Sequence, residues 1–280
     1  MTNASEHKPN LVYVFADQLR YMSCGFAGDT RAYTPNIDRL AAESVNFCNA
    51  VSGSPVCAPY RASLFTGKYS SSTGMVINEL RLSPNHRAFG HVLQEGGYDT
   101  IYIGKWHLWA NQLGNHRDPK NAFVPPGPYR LGFDGFWSAY NFWHENYTGT
   151  HYRDTPDPIP VEKYLPDYET DLAIEQIRQH AASDRPFALF LSLGTPHDPW
   201  DKGNVPPEYY AMFADTPFEL PPNDKPENDP YADAWQRFRP GEREQLEEWQ
   251  RVYYAMTANL DWNVGRILEV LDEAGLAGLL

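Results

Sequence analysis

The chain has 280 residues and a net charge of −13, from 23 Lys and Arg against 36 Asp and Glu. That balance excludes a broad basic face for sequence-independent nucleic-acid binding, so any anion site must be built locally. Hydrophobic residues make up 42%, enough to fill the core of one large domain or two small ones, and the 14% aromatic content is packing material before it is a sugar or aryl platform.

The segment Met1 to Asn10 is polar, and the apolar run Leu11 to Ala16 is too short for the core of a secretory leader. No stretch is long enough to span a membrane. The expectation is a soluble, cytoplasmic chain as given, with export by a removed leader left open. Leu11-Val12-Tyr13-Val14-Phe15 is continuously apolar and β-favouring, which predicts a buried central strand ending at Asp17. Thr34-Pro35 predicts a helix start, with Thr34 as N-cap, Pro35 at the first position and an apolar face of Ile37, Leu40, Ala41 and Val45.

A second helix is expected from Cys57-Ala58-Pro59 towards Tyr69, and a third over Ala88 to Gln94, stopped by Gly96-Gly97. Thr100-Ile101-Tyr102-Ile103 predicts a strand leading into Gly104-Lys105-Trp106-His107. From Gly114 to Pro166 periodicity is lost among Pro, Gly, Tyr and Trp. So many large aromatics are costly in water, so this is an ordered excursion, not a linker. Asp167 to Ala182 is helical, Phe187 to Leu193 is a buried strand, and a second Pro-rich excursion runs to Pro240. Glu242 to Ala274 is the longest helix, with Leu246, Trp249, Tyr253, Met256, Leu260, Val264, Ile267 and Leu271 on one face.

Apolar strands alternating with helices imply an α/β fold with a mostly parallel sheet sandwiched by helices. Polar residues follow the strands: Asp17, then Lys105 and His107, then His197. Ligands bind at the carboxyl ends of strands in such sheets, so these segments are expected to converge. Cys24, Cys48 and Cys57 form no Cys-x-x-Cys pair, which disfavours structural zinc, and an odd count disfavours a disulfide framework. Cys24 and Cys48 read as small packing residues. Cys57 differs, because it sits at an expected helix start where unpaired N–H groups favour negative charge.

The run Pro55-Val56-Cys57-Ala58-Pro59-Tyr60-Arg61-Ala62-Ser63-Leu64-Phe65-Thr66-Gly67 resembles the signature of the type I sulfatases, in the alkaline-phosphatase-like superfamily. Lys8 to Gln18 resembles that family's opening strand and first metal ligand, and Thr34 to Ala41 its first helix. Gly104-Lys105-Trp106-His107 and Thr195-Pro196-His197-Asp198-Pro199 resemble its two histidine turns, and Asn259 to Leu268 its long helix. These segments run in family order across nearly the whole chain.

The resemblance implies that Cys57 is oxidised by a formylglycine-generating maturase. It implies a divalent metal, usually calcium, held by Asp17, Gln18 and the residue at position 57. Gln18 departs from the commoner second aspartate and brings no charge. Arg61 would hold the formylglycine and the sulfate, and Lys105 would neutralise the sulfate or leaving oxygen. In the implied mechanism a hydroxyl of the hydrated aldehyde attacks sulfur and His197 assists the departing alcohol. His107 then takes a proton as sulfate is expelled. Asn78 either hydrogen-bonds near the site or caps a loop.

The implied substrate is a sulfated small molecule or glycan. Asp17-Gln18 also occurs in relatives that hydrolyse phosphonate monoesters or phosphodiesters, which is the alternative within the superfamily. The family's later metal ligands and a later lysine follow the long helix. Residues 1–280 are therefore expected to be the N-terminal part of a catalytic domain, and an inactive remnant is the third reading. Neither a Gly-x-Ser-x-Gly elbow nor a phosphate-loop glycine pattern is present.

Overall fold

A computed structural model of the chain describes residues 8–109, 118–220 and 237–277. Its strands are β1 (Leu11–Ala16), β2 (Asp99–Lys105), β3 (Phe136–Tyr140), β4 (Thr150–His151), β5 (Ile159–Pro160) and β6 (Phe187–Leu193). Four of them form a parallel sheet in the order β1-β6-β2-β3, so that among the described residues β1 is a half-buried outer strand rather than the buried central strand expected, and β4 and β5 make a small antiparallel pair. The helices are α1 (Pro35–Glu43), α2 (Cys57–Thr66), α3 (Ser70–Thr73), α4 (Phe89–Glu95), α5 (Pro119–Ala122), α6 (Leu165–Ala181), α7 (Pro207–Ala211) and α8 (Leu246–Glu273). This is the expected α/β class. Among the described residues no helix is long and apolar enough to cross a membrane.

The apolar run of β6, interrupted by Ser192 alone, follows from burial on both faces. Leu189, Leu191 and Leu193 pack with Ile101, Ile103 and the α6 and α8 side chains Leu172, Ile177, Leu260 and Ile267. Ala188 and Phe190 face the other core, with Ala58, Ala62 and Phe65 of α2. Each fully buried Leu or Phe contributes roughly 1.5–3 kcal/mol. Phe65 meets Phe89, Tyr102, Trp106, Phe133 and Phe190, so much of the aromatic content is core.

The fourth strand of this sheet was hidden in the aromatic excursion. Strand β3 joins β2 in register, Lys105 opposite Tyr140, with Trp137 and Ala139 on the α2 side. Its five residues are too few for periodicity to stand out from the surrounding Pro and Gly. Part of each excursion, residues 110–117 and 221–236, lies outside the described residues, as do residues 1–7 and 278–280.

Three expected boundaries are corrected. α2 stops at Thr66 rather than near Tyr69, because Gly67 turns into the left-handed region at φ 65°. Val45 lies past the end of α1 and is 79% exposed, and Leu40 is also exposed. Thr34 precedes α1 but does not cap it: its hydroxyl accepts from the Gly25 N–H and donates to Asp38 Oδ1.

The free N–H groups of α1 are taken by a carboxylate from another helix. Asp261 of α8 accepts from Ile37 N at 2.8 Å and Asn36 N at 3.2 Å. A cap supplied from 225 positions away was not visible in local sequence. Asp261→Ala is therefore expected to cost roughly 1–2 kcal/mol, the usual loss for a removed cap, measured as a shift in the urea midpoint. An unchanged midpoint would show that water replaces the carboxylate at no cost.

Candidate active site

The carboxyl ends of β1, β6 and β2 lie side by side and carry the chemistry-bearing residues, as the strand order requires. Asp17 follows β1, where its N–H donates to Leu193 O, and its carboxylate is 8% exposed. Lys105 Nζ approaches Asp17 Oδ2 at 2.7 Å and Arg61 Nη2 approaches the same atom at 3.1 Å. Cys57 Sγ lies 3.4 Å from Asp17 Oδ1. Burial alone would raise the Asp17 pKa. The Lys105, Arg61 and His197 charges outweigh it and hold the carboxyl well below the usual range.

Helix α2 presents Cys57 at its first turn and Arg61 one turn later, on the face that meets Asp17. Arg61 is buried; its Nη1 donates to Lys105 O at 2.5 Å and Ser192 Oγ at 2.8 Å, and its guanidinium lies 5.2 Å from the Phe15 ring. Tyr102 also donates to Lys105 O, at 2.5 Å. Burial raises the Cys57 thiol pKa. Lys105 and Arg61 pull it down and Asp17 pushes it up, with a net rise. The unmodified side chain is thus a neutral thiol near pH 7. Cys24 is buried and Cys48 exposed, both far from this role.

Gly104 has φ +101°, and a Cβ there would meet Ser192 O at 2.1 Å, so glycine lets β2 lie close against β6 just before Lys105. His107 follows with φ 54° and donates its N–H to Asn141 O at 2.9 Å. Both His107 ring nitrogens are buried with no partner among the described residues. Burial first, then Lys105 and Arg61, holds its pKa well below the usual histidine range. His197, in the turn after β6, donates Nδ1–H to Asp198 O at 2.8 Å. Burial and Lys105 lower its pKa, opposed by Asp17 and Asp198. Ligand atoms of Asp17, Cys57 and His197 all lie within 4.8 Å of one another.

Asn78 accepts from Ala58 N at 3.0 Å, capping the turn that holds Cys57. Gln18 adopts φ 63° and its carbonyl accepts from Tyr253 OH. It is exposed and borders a cavity of about 790 Å³ shared with Trp200, Trp249 and Tyr253, whose lining does not include Cys57. The structure therefore gathers Asp17, Cys57, Arg61, Lys105, His107 and His197, with Asn78 one residue from the thiol.

The family model for sulfatases matches residues 9–278. The chain belongs to the sulfatase family. It is 37% identical to an ulvan-active sulfatase of Formosa agariphila over 270 residues, 96% of this chain and 48% of that protein. It is 28% identical to an endo-4-O-sulfatase of Bacteroides thetaiotaomicron, over 97% of this chain and 56% of that protein. The chain thus spans about half the length of the curated relatives it matches. A crystal structure of a putative sulfatase from Bacteroides fragilis superposes with TM-score 0.82 at 30% identity, covering 100% of this chain and 62% of that one. A phosphonate monoester hydrolase of Agrobacterium radiobacter, at TM-score 0.64 and 21% identity, shares the fold.

Three residues that contact this cluster escaped the sequence reading. Ser192 and Tyr102 lie inside apolar strands, where a single polar residue carries no pattern. His144 lies in the aromatic excursion, among nine histidines with nothing local to mark it.

Proposed function

We propose that this chain supplies the nucleophile side of an enzyme that hydrolyses the sulfate ester of a carbohydrate or aryl alcohol. The observation that carries the reading is the convergence of a helix-start Cys57 with two buried cations and two histidines around one carboxylate. A tetrahedral anion needs several donors. Arg61 commits three of its five N–H groups to Asp17, Ser192 and Lys105 O, which fixes its plane and leaves the rest of the fork for an anion. The names of the relatives, acting on ulvan and on 4-O-sulfated substrate, support a sulfated glycan.

The donors fit a divalent cation: the buried Asp17 carboxylate lies within 4.8 Å of the position-57 side chain. Asp17 and Gln18 offer the hard oxygens that calcium prefers, and the residue at position 57 completes this chain's share. When bound, such an ion polarises the nucleophile and offsets charge on the sulfate. Conversion of Cys57 to formylglycine by a maturase supplies the oxygen nucleophile that a neutral thiol is not.

The protons are handled by the histidines. His197 is anchored through Nδ1, so Nε2 is its exchanging atom. To protonate the leaving alcohol it must first become imidazolium, a form that Asp17 and Asp198 favour against burial and Lys105. His107 is held neutral and takes the proton of the remaining hydroxyl at position 57 as the aldehyde re-forms and its bond to the sulfate oxygen breaks. In this reading Lys105 and the side-chain amide of Asn78, whose Oδ1 accepts from Ala58 N, bind substrate oxygens near Cys57.

The test is a paired one. Peptide mass spectrometry across Cys57, after co-expression of the complete enzyme with a maturase, is expected to show an aldehyde in place of the thiol. Side-by-side assays should then show hydrolysis of an aryl sulfate exceeding that of an aryl phosphonate monoester. Faster phosphonate hydrolysis would move the enzyme to the other branch of the superfamily.

A further inference from the structure

The segment between β3 and β4 brings His144 against the reaction centre. Its ring stacks on His197 with centroids 3.7 Å apart and planes at 17°, and its Nε2 lies 3.2 Å from Lys105 Nζ. The neighbouring Phe142 ring lies 5.1 Å from Lys105 Nζ and 4.7 Å from the His107 ring. The approach is tied down from behind. Asn204, 6% exposed, donates to His144 O at 3.1 Å and Pro199 O at 2.9 Å, and accepts from Asn146 N at 2.7 Å. One amide therefore holds the His144 loop to the His197 loop.

The hydrogen-bond count gives this contact a meaning. A lysine ammonium has three donors and no acceptor. Lys105 is fully buried and spends one N–H on Asp17 Oδ2 and a second on His144 Nε2. Two fixed N–H directions determine the third, which is the one left for a substrate oxygen. Because Nε2 must accept, a neutral His144 ring carries its proton on Nδ1, and that atom is buried without a partner among the described residues. An orphaned buried donor is unfavourable. A phenylalanine would stack on His197 without that cost, so stacking alone does not account for a histidine here.

We propose that His144 is a positioning residue of the reaction centre, aiming the free N–H of Lys105 through Nε2 and fixing the plane of the His197 ring by stacking. The inference rests on the sulfatase reading above for its kinetic readout. The complete, matured enzyme is compared with three variants on an aryl sulfate. His144→Phe keeps a ring and loses the acceptor, His144→Gln keeps an acceptor and loses the ring, and His144→Ala loses both. A misaimed donor costs on the order of 10²-fold. The expected result is a loss of that size in kcat for the Phe and Ala variants, with KM changed little and the Gln variant recovering a good part of kcat. Equal kcat in wild type and His144→Phe would overturn the proposal. So would equal losses in the Gln and Ala variants.

A second measurement is independent of turnover. Nitrogen-15 spectroscopy of the His144 ring should show the Nδ1–H tautomer, with the Nε2 resonance moving when Lys105 is replaced by Met. An Nε2–H tautomer would overturn the proposal even in a fully active enzyme. If the wild type turned over no sulfate ester, the sulfatase reading would fall while the tautomer still decided the role of His144.

Discussion

Cys57→Ala in the complete enzyme is expected to lower kcat on an aryl sulfate by at least about 10⁴-fold, in the range seen when a covalent nucleophile is removed. Asp17, Arg61, Lys105, His107 and His197 all stay in place, so substrate binding should survive far better than turnover. No other described side chain is placed to substitute. Asp17 is engaged by two cations, and the hydroxyl of Ser192 already accepts from Arg61. Cys57→Ser is the sharper companion. It keeps a small hydroxyl beside Asp17 but starts from an alcohol rather than the thiol at which the maturase acts. If the serine variant turned over like the wild type with an unmodified side chain, formylglycine would be unnecessary. The proposed chemistry would then have to be replaced by direct attack from position 57. Matched circular dichroism melts separate a folding defect from a chemical one. The packing of α2 rests on Ala58, Ala62 and Phe65, which neither variant touches.

Much of this site was legible because its parts sit where chain geometry is local. Asp17, Lys105 and His197 each end an apolar strand, and a parallel sheet brings strand ends together without further instruction. Cys57 and Arg61 share a helix face by spacing alone. The legible part stops where partners are distant. Nothing near Thr34 announces that Asp261 caps α1, and nothing near His144 announces that Asn204 will press it onto His197. Asn78 shows the same boundary from the other side. Sequence left it between a loop cap and a site residue, and its bond to Ala58 N places it as the cap of the turn that carries Cys57.

Asp17→Asn is expected to destabilise the fold by roughly 3–5 kcal/mol, because it leaves two buried cations without their counter-charge. Lys105 and Arg61 are 0% and 2% exposed, so water cannot take the place of the carboxylate. Their costs differ. Arg61 keeps Ser192 Oγ and Lys105 O and cannot shed its proton. Lys105 keeps only His144 Nε2 as an acceptor among the described residues, so it loses the larger share of its bonds. Adding Lys105→Met to Asp17→Asn should therefore cost less than the sum of the two single changes, since the second removes a charge the first has stranded. The pH dependence has a definite sign. A carboxyl whose pKa is lower in the folded state than the ordinary value of about 3.9 contributes stability that is complete above that value. The contribution is lost only as pH falls through the depressed folded pKa. The gap in urea midpoint between wild type and Asp17→Asn should thus be constant from mildly acid to neutral pH and close only in strong acid. A gap that narrowed near neutrality, or a cost below about 1 kcal/mol, the size of an exposed pair, would mean that Asp17 is not holding the two cations in place.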